Sequence, residues 1–129
     1  MTHFSDTSLR RLSTCHPDLQ EVFNEVVKEF DCTILCGYRN KEEQEAAFDQ
    51  GRSKVSWPDS KHNTQPSRAI DVAPYPVDWE DLERFYYFAG YVKGIAKGMG
   101  IKIRFGGDWD NDMRIKDNNF NDLVHFELI

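Results

Sequence analysis

The sequence predicts an α+β fold in which a small, mostly antiparallel sheet is flanked by helices. Two segments, 17–30 and 78–98, carry apolar residues at helical spacing, and four short segments, 32–36, 69–73, 101–105 and 124–128, have strand character. The strands are few and non-consecutive, being separated by helices and by two long polar loops.

Within PDLQEVFNEVVKEF, Leu19, Val22, Phe23, Val26, Val27 and Phe30 recur at i, i+3, i+4, i+7, i+8 and i+11, with Pro17 near the first turn: an amphipathic helix. CTILC is a strand, and Gly37-Tyr38-Arg39 turns the chain out of it. Asn40 with Glu43 three residues on is a capping pattern that opens a helix to about Gln50, closed by Gly51. Residues 52–68 show no periodicity, and a loop of that length inside a compact domain is often functional. AIDVA is a strand stopped by Pro74 and Pro76. Asp78 is expected to cap the next helix, which runs to about Gly98 with Leu82, Phe85, Tyr86, Ala89, Val92 and Ala96 on or near one face. Ile101, Ile103 and Phe105 alternate in a third strand, and residues 106–121 form a second polar loop. In the last strand Val124, Phe126 and Leu128 alternate with His125 and Glu127.

At 129 residues the chain is one domain, large enough for a core without staples. Its hydrophobic fraction of 40% is too high for a disordered chain. Acidic residues outnumber basic ones, 22 to 16, giving a formal charge of −6 that argues against a nucleic-acid backbone binder. No apolar run approaches the ~18 residues of a membrane span. MTHFSDTSLRR lacks an apolar signal core, so synthesis in the cytoplasm without an export signal is expected. Cys15, Cys32 and Cys36 are an odd number, and four residues along a strand span about 13 Å, beyond the ~7 Å limit of a disulfide. All three are expected to be reduced packing residues.

Three residues stand out chemically. His62 lies in the first polar loop, and His125 lies on a strand opposite apolar neighbours. Asp71 shares a strand face with Ala69 and Ala73, where a dry, unpaired carboxylate would be costly. A cation would resolve that cost, and so would an ion pair to Arg39 or Arg104. Two imidazoles and one carboxylate are the ligand set of a catalytic Zn²⁺ with a fourth position open to water. Asp122, three residues before His125, can reach such a centre as a general base only from the turn entering the strand. Arg39, at the strand-to-helix turn, is the candidate cation for an oxyanion or a substrate carboxylate. Glu127 shares a face with His125 and is either an acceptor that orients it or a surface charge.

Ser60-x-His62, Ala69-x-Asp71 and Asp122-x-x-His125-x-Glu127, with GYR before them and IKIRFGGDW between, resemble the zinc peptidases of bacterial cell-wall peptides. That family holds D-alanyl-D-alanine carboxypeptidases, vancomycin-resistance D,D-peptidases and phage L-alanyl-D-glutamate endopeptidases. The five blocks occur in family order over most of the chain. The resemblance implies an α+β fold with zinc on a small antiparallel sheet. It implies His62, Asp71 and His125 as zinc ligands, Asp122 as catalytic base and Arg39 as the substrate or oxyanion cation. Gln44, Ser60 and Trp109, with Asp108 less directly, are implied at the substrate cleft.

The function so implied is hydrolysis of peptidoglycan stem peptides by one catalytic domain, residues 1–129, with no separate wall-binding domain. The L-alanyl-D-glutamate bond is favoured because the base is Asp rather than Glu; the alternatives are a D-alanyl-D-alanine carboxypeptidase and an inactive wall-binding homologue. A phage lysis enzyme is expected, made in the host cytoplasm and acting on the wall, with a stem peptide as partner, no nucleic acid, no membrane insertion and a monomer favoured. Two departures matter. His62 and Asp71 are nine apart where the family's common form has seven, which puts the rim geometry in question. Asp108-x-Asp110-x-Asp112 also opens like a calcium loop, but Met113 and Asn119 replace the Gly and Glu that such a loop needs, so a solvated acidic loop is expected.

Overall fold

The computed structural model describes residues 2–116 and 121–129. Its elements in chain order are α1 (Asp6–Leu12), α2 (Pro17–Val26), β1 (Cys32–Cys36), α3 (Lys41–Asp49), β2 (Ala69–Pro74), α4 (Leu82–Gly98), β3 (Ile103–Phe105) and β4 (His125–Leu128). The four strands form one sheet in the order β1-β2-β4-β3, and every neighbouring pair is antiparallel. The architecture is therefore α+β, as the sequence predicts.

One face of the sheet carries the core. Strand alternation turns Ile34, Ile70, Val72 and Phe126 into the layer filled by Val22, Phe23 and Val26 of α2 and by Phe88, Ala89 and Val92 of α4. Phe126 is the hub, with ring centroids 5.5 Å from Phe23, 5.4 Å from Phe105 and 6.2 Å from Phe88. The opposite face of β2 presents Ala69, Asp71 and Ala73. Asp71 stands across from His125 of β4 on one side and Cys36 of β1 on the other, next to an irregularity in β1 between Ile34 and Cys36. A buried carboxylate is thus fixed at the middle of the sheet.

α1 was not foreseen. Only Ser8 and Leu12 of it are buried, so it offers no apolar stripe to read. Its role is polar: the Ser8 hydroxyl accepts from the Ile34 N–H at 3.0 Å, and Arg11 donates to the Ile34 carbonyl at 3.0 Å. Those bonds occupy the backbone of an edge strand that would otherwise be open to pairing. α3 forms with both arms of its capping box, Glu43 N–H to Asn40 Oδ1 at 2.9 Å and Asn40 N–H to Glu43 Oε1 at 3.0 Å.

Several boundaries move: β2 runs on to Pro74, which pairs with Cys32, and β4 begins at His125 rather than Val124. α2 ends at Val26 because the Lys28 and Glu29 N–H groups reach back only three residues, to Glu25 and Val26. α4 is capped by Asp81, whose carboxylate accepts from the Arg84 N–H, whereas Asp78 spends its own carboxylate on the Glu80 N–H, a local turn before the helix. Ile101 leaves the third strand because its N–H closes the end of α4 on the Ala96 carbonyl, with Gly100 at φ 73°. All three cysteines are free thiols; Cys15 and Cys32 are buried. No helix among the described residues is long and apolar enough to cross a membrane.

Candidate metal centre and its cleft

His62 is carried by a 3₁₀ turn, Lys61–Asn63, that Ser60 caps by accepting the His62 N–H at 3.1 Å. Beyond that turn the Arg68 N–H closes the loop on the Lys61 carbonyl at 3.0 Å. His62 Nε2 still lies 3.2 Å from Asp71 Oδ1. The other imidazole arrives from β4, with His125 Nδ1 3.4 Å from the same oxygen. One donor atom from each of the three residues lies within 4.8 Å of the others.

The two rings are held in opposite senses. His62 Nδ1 donates to the Gly37 carbonyl at 2.7 Å, which leaves its Nε2 lone pair toward Asp71. His125 Nε2 donates to Glu127 Oε1 at 2.8 Å, which leaves its Nδ1 lone pair toward Asp71. Glu127 is fixed in turn by Lys61 at 3.2 Å and Arg104 at 3.3 Å. Two imidazole lone pairs and a carboxylate facing one point, each ring fixed from behind by an acceptor, form a donor set that fits a divalent metal.

The electrostatics agree with the geometry. Burial pushes the His62 pKa down, but the charge and hydrogen bond of Asp71 outweigh it and lift it to about 10, so Nε2 carries a proton toward Asp71 unless a metal takes its lone pair instead. Burial likewise opposes ionisation of Asp71, and its two histidine neighbours drive its pKa well below the usual carboxylate range. Glu127 is also lowered against its burial, to about 2, by His125 and Lys61. The cluster favours positive charge around Asp71.

A cleft of about 390 Å³ opens on this group, lined among others by Arg39, Ser60, Lys61, Trp109 and Asp122 together with both imidazoles. Asp122 occupies the turn entering β4, where its carbonyl accepts the His125 N–H at 3.1 Å. Burial, then the charge of Asp71, push its carboxyl pKa up.

Residues 1–129 match the family described as phage L-alanyl-D-glutamate peptidase. The chain is 36% identical over 136 aligned positions to the L-alanyl-D-glutamate peptidase of Escherichia phage T5, covering 98% of this chain and 97% of that one. The chain belongs to the phage L-alanyl-D-glutamate peptidase family. Its fold is also that of the L-Ala D-Glu endopeptidase ChiX of Serratia marcescens, with a TM-score of 0.76 over 98% of this chain and 90% of that one, at 24% identity.

In this phage-peptidase chain the remaining sequence-derived candidates fall into two groups. Trp109 faces the cleft, its ring centroid 5.2 Å from that of His125. Arg39 reaches Asp71 Oδ2 at 3.5 Å, so the ion pair and the metal reading describe the same carboxylate. Arg104 goes to Glu127 instead. Gln44 is fully buried behind Arg39; its Oε1 accepts from Arg39 at 2.9 Å and its Nε2 donates to the Ser53 hydroxyl and the Val55 carbonyl. Gln44 therefore bears on the cleft through Arg39. Asp108 is buried in its own loop, accepting from the Asp112 and Met113 N–H groups at 3.1 and 2.9 Å. The Asp108, Asp110 and Asp112 carboxylates do approach one another, but Asp108 already serves those N–H groups, and Asn119, at position twelve of the calcium pattern, lies outside the described residues.

Sequence reading missed the glycines that let these pieces approach. A Cβ on Gly106 would sit 2.1 Å from the Asp122 carbonyl oxygen and 3.0 Å from the His125 Cβ. A Cβ on Gly37 would meet Thr14 Oγ1 at 2.3 Å and the Arg11 carbonyl at 2.5 Å. The doublet after IKIRF was the available signal for the first.

Proposed function

We propose that this chain is a zinc peptidase that hydrolyses peptidoglycan stem peptides at the L-alanyl-D-glutamate bond and acts as a phage lysis enzyme. The observation that carries the reading is the convergence of His62 Nε2, Asp71 and His125 Nδ1 on one point beside a cleft that also holds Asp122 and Arg39. Family membership supports the bond, and the Asp at position 122 agrees with it.

His62, Asp71 and His125 would hold the ion. When bound, Zn²⁺ supplies Lewis acidity and a water whose pKa falls toward ~7. Asp122, with its raised proton affinity, accepts a proton from the attacking water and returns it to the amine of the leaving D-glutamyl residue. Arg39, held in place by Gln44 and Asp71, offers its guanidinium to the oxygen that gains charge as the carbonyl carbon becomes tetrahedral. Glu127 holds the His125 ring so that its Nδ1 remains a lone-pair donor.

The test is a muropeptide digest read by mass spectrometry, with and without a chelator. New D-glutamyl amines that vanish with the chelator are expected; loss of a terminal D-alanine instead identifies a D,D-carboxypeptidase. His125→Ala should lose both zinc and turnover. Asp122→Ala should keep zinc and lose about a hundred- to ten-thousandfold in rate, the range of a positioned general base. Zinc content near zero in the wild-type protein with no cleavage would leave a wall-binding homologue as the correct reading.

A further inference from the structure

The cleft has two lobes, and they differ in chemistry. The lobe over His62 and His125 is lined by Lys54 and Lys61, which the other cavity lacks, and by the acids Asp59 and Glu127, the latter already paired with Lys61 and Arg104. A second cavity of about 660 Å³ is lined by Leu35, Val124 and Trp79 together with two carboxylates that the first lobe lacks, Glu43 and Asp71. Arg39, Arg52 and Asp122 belong to both, so the proposed base and the proposed oxyanion cation stand at the join.

The stem peptide has a matching asymmetry. Its D-glutamate is linked onward through the γ-carboxyl, so a free α-carboxylate sits next to the scissile nitrogen on the leaving side. On the other side of the bond there is no such charge: L-alanine is amide-linked through a lactyl group to an N-acetylated hexosamine. Like-charge repulsion from Glu43 and Asp71 keeps the carboxylate half out of the second cavity and sends it to the lobe that holds Lys54 and Lys61. The sugar half then extends over the second lobe.

Trp79 suits that half. It is 60% exposed, yet its indole stacks on the buried Phe85 ring at 5.5 Å and 20°. One face is thereby fixed to the core while the residue remains open to solvent. A rigid aromatic surface loses little conformational freedom on binding. The negative face of its π system accepts the axial C–H groups of a pyranose ring.

We propose that Trp79 is the platform of a glycan subsite that receives the muramyl sugar preceding the L-alanine, so that stem peptides still attached to glycan are preferred over free ones. This rests on the L-alanyl-D-glutamate reading above. The experiment compares kcat/KM of the zinc-loaded enzyme on a disaccharide-linked tetrapeptide and on the same tetrapeptide carrying an N-acetyl group in place of the sugar. Wild type is expected to favour the glycan-linked substrate by about tenfold, the change of a single lost contact of moderate size, chiefly through KM. Trp79→Ala should abolish that ratio. Trp79→Phe, which keeps an aromatic cover on Phe85, should restore part of it and guards against a folding defect in the alanine variant. Equal rates of wild type on the two substrates, or an unchanged ratio in Trp79→Ala, overturn the subsite. Absence of any D-glutamyl product from either substrate overturns the bond assignment itself and the subsite with it.

Discussion

Glu127 and Gly37 hold the two imidazoles from behind, and this is where single residues set the chemistry of the centre. Glu127→Gln keeps the shape of the side chain but removes the charge that Lys61 and Arg104 share. Its amide can also present a donor to His125, turning the lone pair away from Asp71. Zinc affinity is expected to fall about 10- to 100-fold, as for other partners behind a ligand, measured by competition with a chromophoric chelator. An unchanged affinity would mean that the ring is held by packing alone. At this scale the sequence was informative where chemistry is local. Alternation put Asp71 among alanines, and the offset of three between Asp122 and His125 demanded the turn that is found. Gly106 was opaque because what it must avoid is a carbonyl sixteen positions later, brought near only by the pairing of β3 with β4.

Among the elements, the end of β3 and the entry to β4 work as one piece. The Gly106 N–H donates to the His125 carbonyl and the Asp122 N–H donates to the Gly106 carbonyl, each at 2.8 Å. Gly106→Ala would force these segments apart, at about 1–3 kcal/mol for an overpacked site. Denaturant unfolding gives that figure. Turnover under conditions where the variant remains folded is expected to fall further than stability does, because the displaced backbone belongs to Asp122. α2, α3, α4 and the strands were legible from period and capping. α1 was not, since it protects an edge strand through Ser8 and Arg11 rather than through an apolar stripe. The start of α4 moved because two aspartates competed for the same turn and the later one caps.

For the molecule as a whole, the buried thiols set a limit at alkaline pH. Burial pushes Cys15 and Cys32 from 9.0 up to about 12. Below pH 9 both thiols keep their protons folded or unfolded, so their packing contributes in full. Between 9 and 12 the unfolded chain ionises while the folded one does not, and stability falls as pH rises, by up to about 1.4 kcal/mol per unit for each thiol. Urea midpoints measured from pH 8 to 10.5 should show the decline, and Cys15→Ala with Cys32→Ala should flatten it while lowering the plateau. Cys15 and Cys32 pack in the core as the sequence leads one to expect, whereas Cys36 is only half-buried. What composition could not convey is that the −6 charge is unevenly used, with Asp71 and Glu127 inside the structure, each matched to cations.

His62, Asp71 and His125 come from a loop, a central strand and the last strand, so the donor set exists only once the chain has closed on itself. An ion seated there would be a removable crosslink between distant segments. The unfolded chain offers no such site, so binding energy becomes folding energy. Free zinc a hundredfold above its dissociation constant would add about 2.7 kcal/mol to stability. The melting temperature would then report the metal supply of its surroundings, and a chelator would lower it in the His125 wild type but not in His125→Ala. Robustness outside the cell would be set by the zinc available there as much as by the sequence.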